Sequence, residues 1–289
     1  MQIISTTNEL ASYLNTVKNN GNIGFVPTMG ALHEGHLNLI RTSKQNDDTT
    51  ICSVFVNKIQ FTNEDDFIKY PRNIEQDIKL LEQVGCDCVF IPTQEVVFPI
   101  DYKYEIFNLG KIEHILEGLY RPGHFQGVCN VVNRFIELIQ PNKLYLGIKD
   151  LQQCKVIEKM IHLKKYEPAV ELIFCATSRN EKGLALSSRN KRLSNDAKNK
   201  ALILIEMLKS AKEQILSKSS NLDTIKQFGI TTILTNGFES VDYFEFADQH
   251  FELVNDSSTN QNPVYILTAA TIEGVRLIDN IIIGYETNS

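Results

Sequence analysis

The stretch IGFVPTMGALHEGH (residues 23–36) decides how the first half of the chain folds. Residues 23–29 are mostly apolar and predict a buried strand. The two glycines that follow predict a loop that leads into a helix from about Gly35. Because open α/β sheets bind ligands at the carboxyl ends of their strands, we expect this loop and the first helical turn to carry function.

His33 and His36 are three residues apart, so they face the same way in the first turn of the predicted helix. Unpaired backbone N–H groups and the positive end of the helix dipole favour phosphate there, and two imidazoles add hydrogen-bond donors. Taken alone, H-x-x-H also fits two surface histidines or half of a metal site. The loop is not a P-loop, because no Lys-Ser/Thr closes it, and it lacks the G-x-G-x-x-G pattern.

Short apolar runs alternate with segments of helical periodicity as far as about residue 175. After the strand at 23–29, further strands are predicted at 50–56, 88–91, 143–146 and 170–174, and helices at 74–84, 128–139 and 151–163. This alternation predicts a mostly parallel sheet that is covered by helices on both faces.

The pattern changes after about residue 177, where a polar loop, SRNEKG, precedes two helical stretches and three apolar runs. Helices are predicted at 196–216 and 222–234, and strands at 241–246, 264–271 and 275–283, with a polar loop at 255–262. Helices followed by strands indicate a small α+β domain with an antiparallel sheet.

The composition of the 289-residue chain limits its function. A net charge of −6 argues against nucleic acid as the main partner. No apolar run approaches the roughly 20 residues that span a bilayer, and no secretory signal is visible, so we expect no membrane partner. The cysteines lie in apolar segments, which favours buried, reduced thiols and a cytoplasmic protein: Cys52, Cys86, Cys88, Cys129, Cys154 and Cys175.

PTMGALHEGH (27–36) resembles the HIGH-type motif of the nucleotidylyltransferase superfamily, in the form found in the pantothenate synthetase (pantoate–β-alanine ligase) family. Seven further segments resemble that family in the same order: SVFVNKIQF (53–61), YPRNIEQDIKLLEQVGCDCVF (70–90), RPGHFQGVCNVVNRF (121–135), LGIKDLQQ (146–153), GLALSSRNKRLS (183–194), DYFEFAD (242–248) and RLIDNI (276–281). The resemblance covers roughly residues 1–285.

The resemblance implies a two-step reaction. A carboxylate oxygen of pantoate attacks the α-phosphorus of ATP, which releases pyrophosphate and leaves pantoyl adenylate. The amine of β-alanine then attacks the acyl carbon and gives pantothenate and AMP. ATP chemistry normally brings Mg²⁺, and Asp77 matches an acidic position associated with the metal in this family, although an Asp on a helix surface is an equal alternative.

The resemblance also implies an ATP site built from three segments. Its residues are Met29, Gly30, Ala31, Leu32, His33, Glu34, Gly35 and His36; then Gly147, Ile148, Lys149 and Asp150; then Ser178, Leu186, Ser187, Ser188 and Arg189. His36, His33 and Lys149 are expected to be catalytic, by neutralising phosphate charge. On the residues alone, Lys149 also fits a solvated surface position and Ser187 also fits a helix cap.

The acid substrate is expected to be held by amides, which both donate and accept hydrogen bonds. The resemblance implies that Gln60 and Gln153 bind pantoate, that Gln60 also lies close to β-alanine, and that Asn57, Val131 and Val132 line the same pocket. His124 either lines the pocket or caps a turn. Each glutamine, taken alone, also fits an ordinary polar surface residue.

The chain departs from the family pattern at a few positions. Lys58 and Ile59 replace Pro-Thr, Ile148 replaces an acidic residue, Leu151 replaces Tyr, and ATSRN (176–180) replaces a Pro-Thr-Val-Arg-Glu-type run. None of these changes removes a residue with a predicted catalytic role. Ile148 affects the polarity of the nucleotide loop, and Lys58 the affinity for the acid.

Four other classes of protein fit part of the pattern: another adenylyltransferase of the superfamily, an aminoacyl-tRNA synthetase, a silent nucleotide-binding domain and a metal-binding H-x-x-H protein. The glutamine and SSRN segments disfavour another adenylyltransferase. The short, acidic chain disfavours an aminoacyl-tRNA synthetase. Retention of all the site residues disfavours a silent nucleotide-binding domain. The lack of a matching third ligand disfavours a metal-binding H-x-x-H protein. We predict an α/β protein with a Rossmann-like domain (1–177) that binds ATP and pantoate, a smaller α+β lid (178–289), and, by family analogy, a homodimer.

Overall fold

A computed structural model describes residues 1–19, 21–256 and 262–284. The chain forms two compact units, of which the first comprises Met1–Ile148 and Gln153–Cys175. The second comprises Lys149–Gln152 and the chain from Ala176 on. Most of the polar loop predicted at 255–262 lies outside the described residues.

The first unit contains a six-stranded sheet in the order β1-β4-β3-β2-β5-β6. Its strands are β1 (Gln2–Ile4), β2 (Ile23–Thr28), β3 (Thr49–Val54), β4 (Cys88–Phe90), β5 (Lys143–Gly147) and β6 (Glu171–Cys175). All neighbouring strands are parallel, which confirms the predicted α/β class. From β2 the chain continues to β3 on one side, while β5 pairs with β2 on the other, so the topological switch point lies between β2 and β5.

Eight α-helices accompany this sheet in the described part of the chain. They are α1 (Thr7–Val17), α2 (Glu34–Asn46), α3 (Glu64–Ile68), α4 (Ile74–Gln83), α5 (Gln94–Val97), α6 (Glu117–Tyr120), α7 (His124–Ile139) and α8 (Leu151–Leu163). Successive residues of a strand face opposite sides of a sheet. Accordingly, Phe25 of β2 belongs to a core cluster with Phe135 of α7, whereas Val26 belongs to a second cluster with Ile40 of α2. The central strands β2 and β3 are therefore buried at nearly every position.

The structure adds two elements before residue 22 that the periodicity did not predict. β1 is only three residues long and pairs with β4 at the edge of the sheet. α1 begins after a capping box, in which Thr6 and Glu9 each accept a backbone N–H of the other. α7 begins at His124, four residues before the predicted start, and its polar first turn concealed the periodicity.

The second unit contains a three-stranded antiparallel sheet in the order β7-β8-β9, as predicted. Its elements are α9 (Asn195–Lys200), α10 (Leu202–Ser217), α11 (Leu222–Thr235), β7 (Ser240–Ala247), β8 (Tyr265–Ile272) and β9 (Val275–Ile282). The single helix predicted at 196–216 is thus two helices that meet at Ala201. Phe244, Ile266 and Leu208 are buried in the core between sheet and helices.

None of the helices in the described ranges is long and apolar enough to cross a bilayer.

Candidate active site

The loop after β2 has an unusual backbone that is fixed by contacts with other elements. Gly30 and Ala31 both have positive φ, 78° and 51°. The Gly30 N–H donates to Thr28 Oγ1 at 3.2 Å, and Thr28 Oγ1 donates to the Ser53 carbonyl of β3 at 2.6 Å. A side chain at position 30 would lie 2.9 Å from both Asp77 Oδ2 and Val54 Cγ1, so only glycine fits there.

Asp77 fastens the same loop from the first turn of α4. Its Oδ2 accepts the N–H of Ala31 at 2.8 Å, and its Oδ1 accepts the N–H of Leu32 at 2.7 Å. The residue is 2% exposed, and the positive end of the α4 dipole favours a carboxylate at this position. The Asp77 carboxylate thereby determines where two residues of the HIGH-type motif lie.

The prediction that Asp77 is also a metal ligand stays a prediction. Each of its oxygens accepts one backbone N–H in a buried position, so a metal ion would have to bind through a second lone pair of these oxygens. Within residues 1–19, 21–256 and 262–284, no group of three His, Cys, Asp or Glu side chains is arranged to hold a metal. The carboxyl group that sequence resemblance associates with Mg²⁺ therefore acts on the loop.

His33 and His36 lie against each other at the start of α2. Their ring centroids are 4.1 Å apart and their planes are inclined by 32°, so the predicted common orientation is observed. His33 is the N-cap residue, and its Nδ1 accepts the N–H of Gly35 at 3.1 Å. Because Nδ1 is an acceptor, the neutral His33 ring carries its proton on Nε2.

Gln60, Asn57 and Met29 form a connected group next to this loop. Gln60 Nε2 donates to Met29 Sδ at 3.0 Å, and Asn57 Nδ2 donates to Gln60 Oε1 at 3.1 Å and to the Gly127 carbonyl at 3.1 Å. Asn57 is 1% exposed, and its Oδ1 has no hydrogen-bond partner among the described residues. A buried amide oxygen without a donor fits a position that receives a ligand hydroxyl.

His124, whose role the sequence left open, supports Gln60. It is buried at the start of α7, and its Nδ1 lies 2.7 Å from the backbone oxygen of Gln60. Val131 and Val132 are buried further along α7, while Gln153 is half-buried in the first turn of α8. The support from His124 depends on a contact across 64 residues, which periodicity cannot reveal.

A cavity of about 360 Å³ opens beside the loop at the carboxyl ends of β3 and β4. It is lined by Met29, Gly30 and Ala31 and, among others, by Phe67 and Arg72. This edge of the sheet therefore carries a concave surface, as expected for an open α/β sheet.

The remaining predicted ATP-site residues lie in the second unit, except Gly147 and Ile148, which lie at and just after the end of β5. Lys149 Nζ is 3.6 Å from Asp150 Oδ1. The Ser178 carbonyl accepts the Leu186 N–H at 2.9 Å, and Ser187 Oγ accepts the Arg189 N–H at 3.3 Å. Ser187 thus caps the short 3₁₀ helix Ser188–Arg192, which is the alternative role that the sequence suggested.

Comparisons with known proteins identify the family of the chain. Residues 2–282 match the family model described as pantoate-beta-alanine ligase. The chain belongs to the pantoate–β-alanine ligase family. It is 39% identical over 284 residues to a pantothenate synthetase of Acetivibrio thermocellus (98% of this chain, 99% of the relative). It is 37% identical over 286 residues to one of Staphylococcus haemolyticus (99% of each chain).

Solved structures of this family share the fold. The pantothenate synthetase of Thermus thermophilus superposes with a TM-score of 0.88 at 33% identity, covering 98% of this chain and 99% of that one. The pantoate-beta-alanine ligase of Francisella tularensis, complexed with beta-gamma ATP and beta-alanine, has a TM-score of 0.82 at 34% identity, covering 99% of each chain. These likenesses confirm the predicted family, fold class and enzyme class of this ligase.

Proposed function

We propose that this ligase condenses pantoate with β-alanine to pantothenate through pantoyl adenylate, with ATP converted to AMP and pyrophosphate. Family membership over residues 2–282 supports this reaction, as does the Francisella tularensis relative complexed with beta-gamma ATP and beta-alanine. The observation that carries the proposal is that the His33 and His36 rings lie against each other next to a loop held by Asp77, at the switch point of a parallel sheet.

In the first step a pantoate carboxylate oxygen bonds to the α-phosphorus, and the bond from that phosphorus to the oxygen bridging to the β-phosphate breaks. The electron pair leaves with pyrophosphate. His33 presents Nε2–H because Gly35 N–H occupies its Nδ1, and His36 faces the same way. Both imidazoles and the positive end of the α2 dipole stabilise the negative charge that builds on the phosphate oxygens. Lys149 contributes an ammonium group.

In the second step the β-alanine amine attacks the acyl carbon of the adenylate. A C–N bond forms, the bond from the acyl carbon to the AMP oxygen breaks, and the amine loses a proton. Gln60 is the residue proposed to lie at this junction of both substrates, and His124 and Asn57 hold its backbone and side chain. A neutral amide orients a carboxylate without lowering its nucleophilicity as a fixed cation would.

The acid is proposed to bind with its hydroxyls on amides and its methyl groups on valines. Asn57 Oδ1 is buried and has no donor within the described chain, so a pantoate hydroxyl would satisfy it. Gln60 and Gln153 supply further amides, while Val131 and Val132 supply apolar surface. Asn57 Oδ1 is thus one acceptor in this pocket that a pantoate hydroxyl can satisfy.

Mg²⁺ bound to the phosphate oxygens would neutralise part of the triphosphate charge. Asp77 accepts one backbone N–H at each oxygen, so it would bind the ion only through the remaining lone pairs. Asp150 is proposed to accept the ribose hydroxyls, and Ser187, Ser188 and Arg189 to contact the triphosphate.

We also propose that residues 1–177 bind ATP and pantoate, that residues 178–289 close over ATP, and that the ligase is a cytoplasmic homodimer joined through its first domain. Ile100, Tyr104 and Ile106 support the dimer, because these large side chains are exposed on a segment outside any strand. Light scattering on the purified protein tests it, and a monomer of 32.8 kDa at micromolar concentration would contradict it.

The reaction is tested by pyrophosphate release. We expect release with ATP and pantoate in a single turnover, continuous release only when β-alanine is added, and AMP as co-product. Release with ATP alone, or with another acid in place of pantoate, would exclude the proposed reaction.

The role of the histidines is tested with His36→Ala. Loss of one transition-state donor is expected to lower the rate of adenylate formation by roughly 10²- to 10⁴-fold, without unfolding the protein. His162→Ala is the matched control, because the His162 side chain is 80% exposed on α8. Equal rates in both variants would remove His36 from the mechanism.

A further inference from the structure

β9 carries two adjacent polar residues that the proposed chemistry does not use. Asp279 and Asn280 are each 5% exposed within the otherwise largely apolar strand VRLIDNII. They belong to the segment RLIDNI, which carries part of the family resemblance. A buried carboxylate destabilises a fold unless it is paired, so its partners indicate what it does.

Asp279 is paired with an arginine from the loop that precedes the SSRN segment. Arg179 donates from Nη1 at 2.6 Å and from Nη2 at 2.8 Å to the two oxygens of Asp279. The same Nη1 also donates to the Gly183 carbonyl at 3.1 Å. A bidentate pair of this kind fixes both the position and the plane of the guanidinium, and so fixes the loop to β9.

The loop that contains Arg179 is connected by hydrogen bonds to the segment with Ser187 and Ser188 that follows it. Arg179 and Ala185 form an antiparallel bridge, and Asn190 Nδ2 donates to the Ala185 carbonyl at 2.9 Å. The 3₁₀ helix capped by Ser187 continues directly from this bridge. The position of Asp279 therefore determines where Ser187, Ser188 and Arg189 lie.

Asn280 holds a different segment. Its Nδ2 donates to the backbone carbonyl of Lys149 at 2.9 Å, and its own N–H donates to Asp279 Oδ1 at 2.8 Å. Consecutive residues of a strand point to opposite faces, so one dipeptide holds two segments on two sides. Consecutive Cα atoms are about 3.8 Å apart, so the two side chains that hold these segments start from a fixed separation.

We propose that Asp279 and Asn280 are positioning residues that set the spacing between Lys149 and the Ser187–Arg189 segment, and thereby select a triphosphate. The inference rests on the proposed function, in which both segments contact phosphate. A ligand that spans both segments depends on their spacing, whereas a nucleoside monophosphate does not.

The test compares the affinities of a non-hydrolysable β,γ-substituted ATP analogue and of AMP, measured by titration calorimetry. Asn280→Ala removes the hydrogen bond to Lys149, and Arg179→Lys keeps the charge but loses the bidentate geometry. For each variant we expect roughly 5- to 10-fold weaker binding of the ATP analogue and a change of less than about 2-fold for AMP.

Glu245→Gln is the matched control. It breaks the ion pair between Glu245 of β7 and Lys226 of α11, which is partly buried in the same unit. We expect a comparable decrease in melting temperature with an unchanged ratio of the two affinities. If the ratio of the two affinities depended on stability alone, it would also change in Glu245→Gln.

The two proposals fail separately. If Asn280→Ala and Arg179→Lys leave the affinity ratio at the wild-type value, the positioning role is wrong, while pyrophosphate release by the wild type still supports the ligase reaction. If the wild type releases no pyrophosphate with pantoate, the proposed ligase reaction is wrong. The ratio of the two affinities still tests the positioning role of Asp279 and Asn280. If Arg179→Lys does not fold, the affinities of Asn280→Ala alone decide whether the positioning role is correct.

Discussion

Two buried carboxylates, Asp77 and Asp279, hold loops in the two units of the molecule, and they hold them differently. Asp77 is in the first turn of α4 and accepts the backbone N–H groups of Ala31 and Leu32. Asp279 is in β9 and accepts the guanidinium of Arg179. The first contact fixes main-chain atoms directly, whereas the second acts through a long side chain.

The difference predicts how each loop responds to substitution. Backbone N–H groups offer only donors, so nothing but an acceptor with two oxygens satisfies both of them at position 77. The Arg179 tether includes several rotatable bonds, and part of its charge interaction survives a change of side chain. We therefore expect the loop of the first unit to be the less tolerant one, and two experiments test this comparison.

Within this comparison, the largest effect on the reaction rate is expected for Asp77→Asn. The new amide has one oxygen, so its NH₂ group faces one of the two backbone N–H groups and leaves a buried donor unsatisfied. We expect the rate of pyrophosphate release to fall roughly 10- to 100-fold, since such a group costs about 1–3 kcal/mol. The Mg²⁺ concentration for half-maximal rate should stay the same.

Glu75→Gln provides the control, because Glu75 is exposed in the same helical turn. It should change neither rate nor stability. A shift of more than about 5-fold in the Mg²⁺ requirement of Asp77→Asn, with the loop intact by amide hydrogen exchange, would show that Asp77 is a metal ligand.

An effect on stability is expected from Gly30→Ala, with Gly183→Ala as its counterpart in the second unit. Both glycines have positive φ, but a side chain at position 30 meets Asp77 and Val54 at 2.9 Å, whereas at position 183 the nearest atom is 3.8 Å away. We expect a loss of about 2–4 kcal/mol for Gly30→Ala and about 1–2 kcal/mol for Gly183→Ala in urea unfolding. Equal losses would show that steric contact with Asp77 is unimportant.

The smallest effect concerns the cysteines, none of which is a predicted site residue. Burial raises the pKa of Cys86 and of Cys88 to about 12, from an ordinary value of 9.0. These thiols stay protonated near pH 8, so iodoacetamide should leave the activity of the native ligase unchanged. In denaturant all six cysteines should react. Rapid inactivation of the native protein through Cys86 or Cys88 would contradict their burial.

The same pKa shifts give a direction for stability against pH. Because the folded state keeps these thiols protonated, their contribution is fully present below the unfolded pKa of 9.0 and is lost as the pH rises towards about 12. The free energy of unfolding, measured with urea, should therefore decrease as the pH is raised above 9. Cys86→Ser and Cys88→Ser together should reduce that slope.

Most of the fold followed from periodicity, because long buried strands and amphipathic helices leave a strong pattern. The predicted strand at 170–174 and the helix at 151–163 agree with β6 and α8 within a residue or two. β1 and α5 were not predicted, because elements of three or four residues are too short to show a hydrophobic periodicity. The break at Ala201 was missed because apolar residues continue across it on both sides.

The residue types, and with them the family and its reaction class, were determined by the sequence alone, since the motifs are local runs of amino acids in a fixed order. That His33 and His36 share one direction also follows from helical spacing. Tertiary structure decided what Asp77, His124, Asp279 and Asn280 do, because each acts on a residue 45 or more positions away. Hydrogen bonds at such separations exist only once the chain has folded, and no local pattern encodes them.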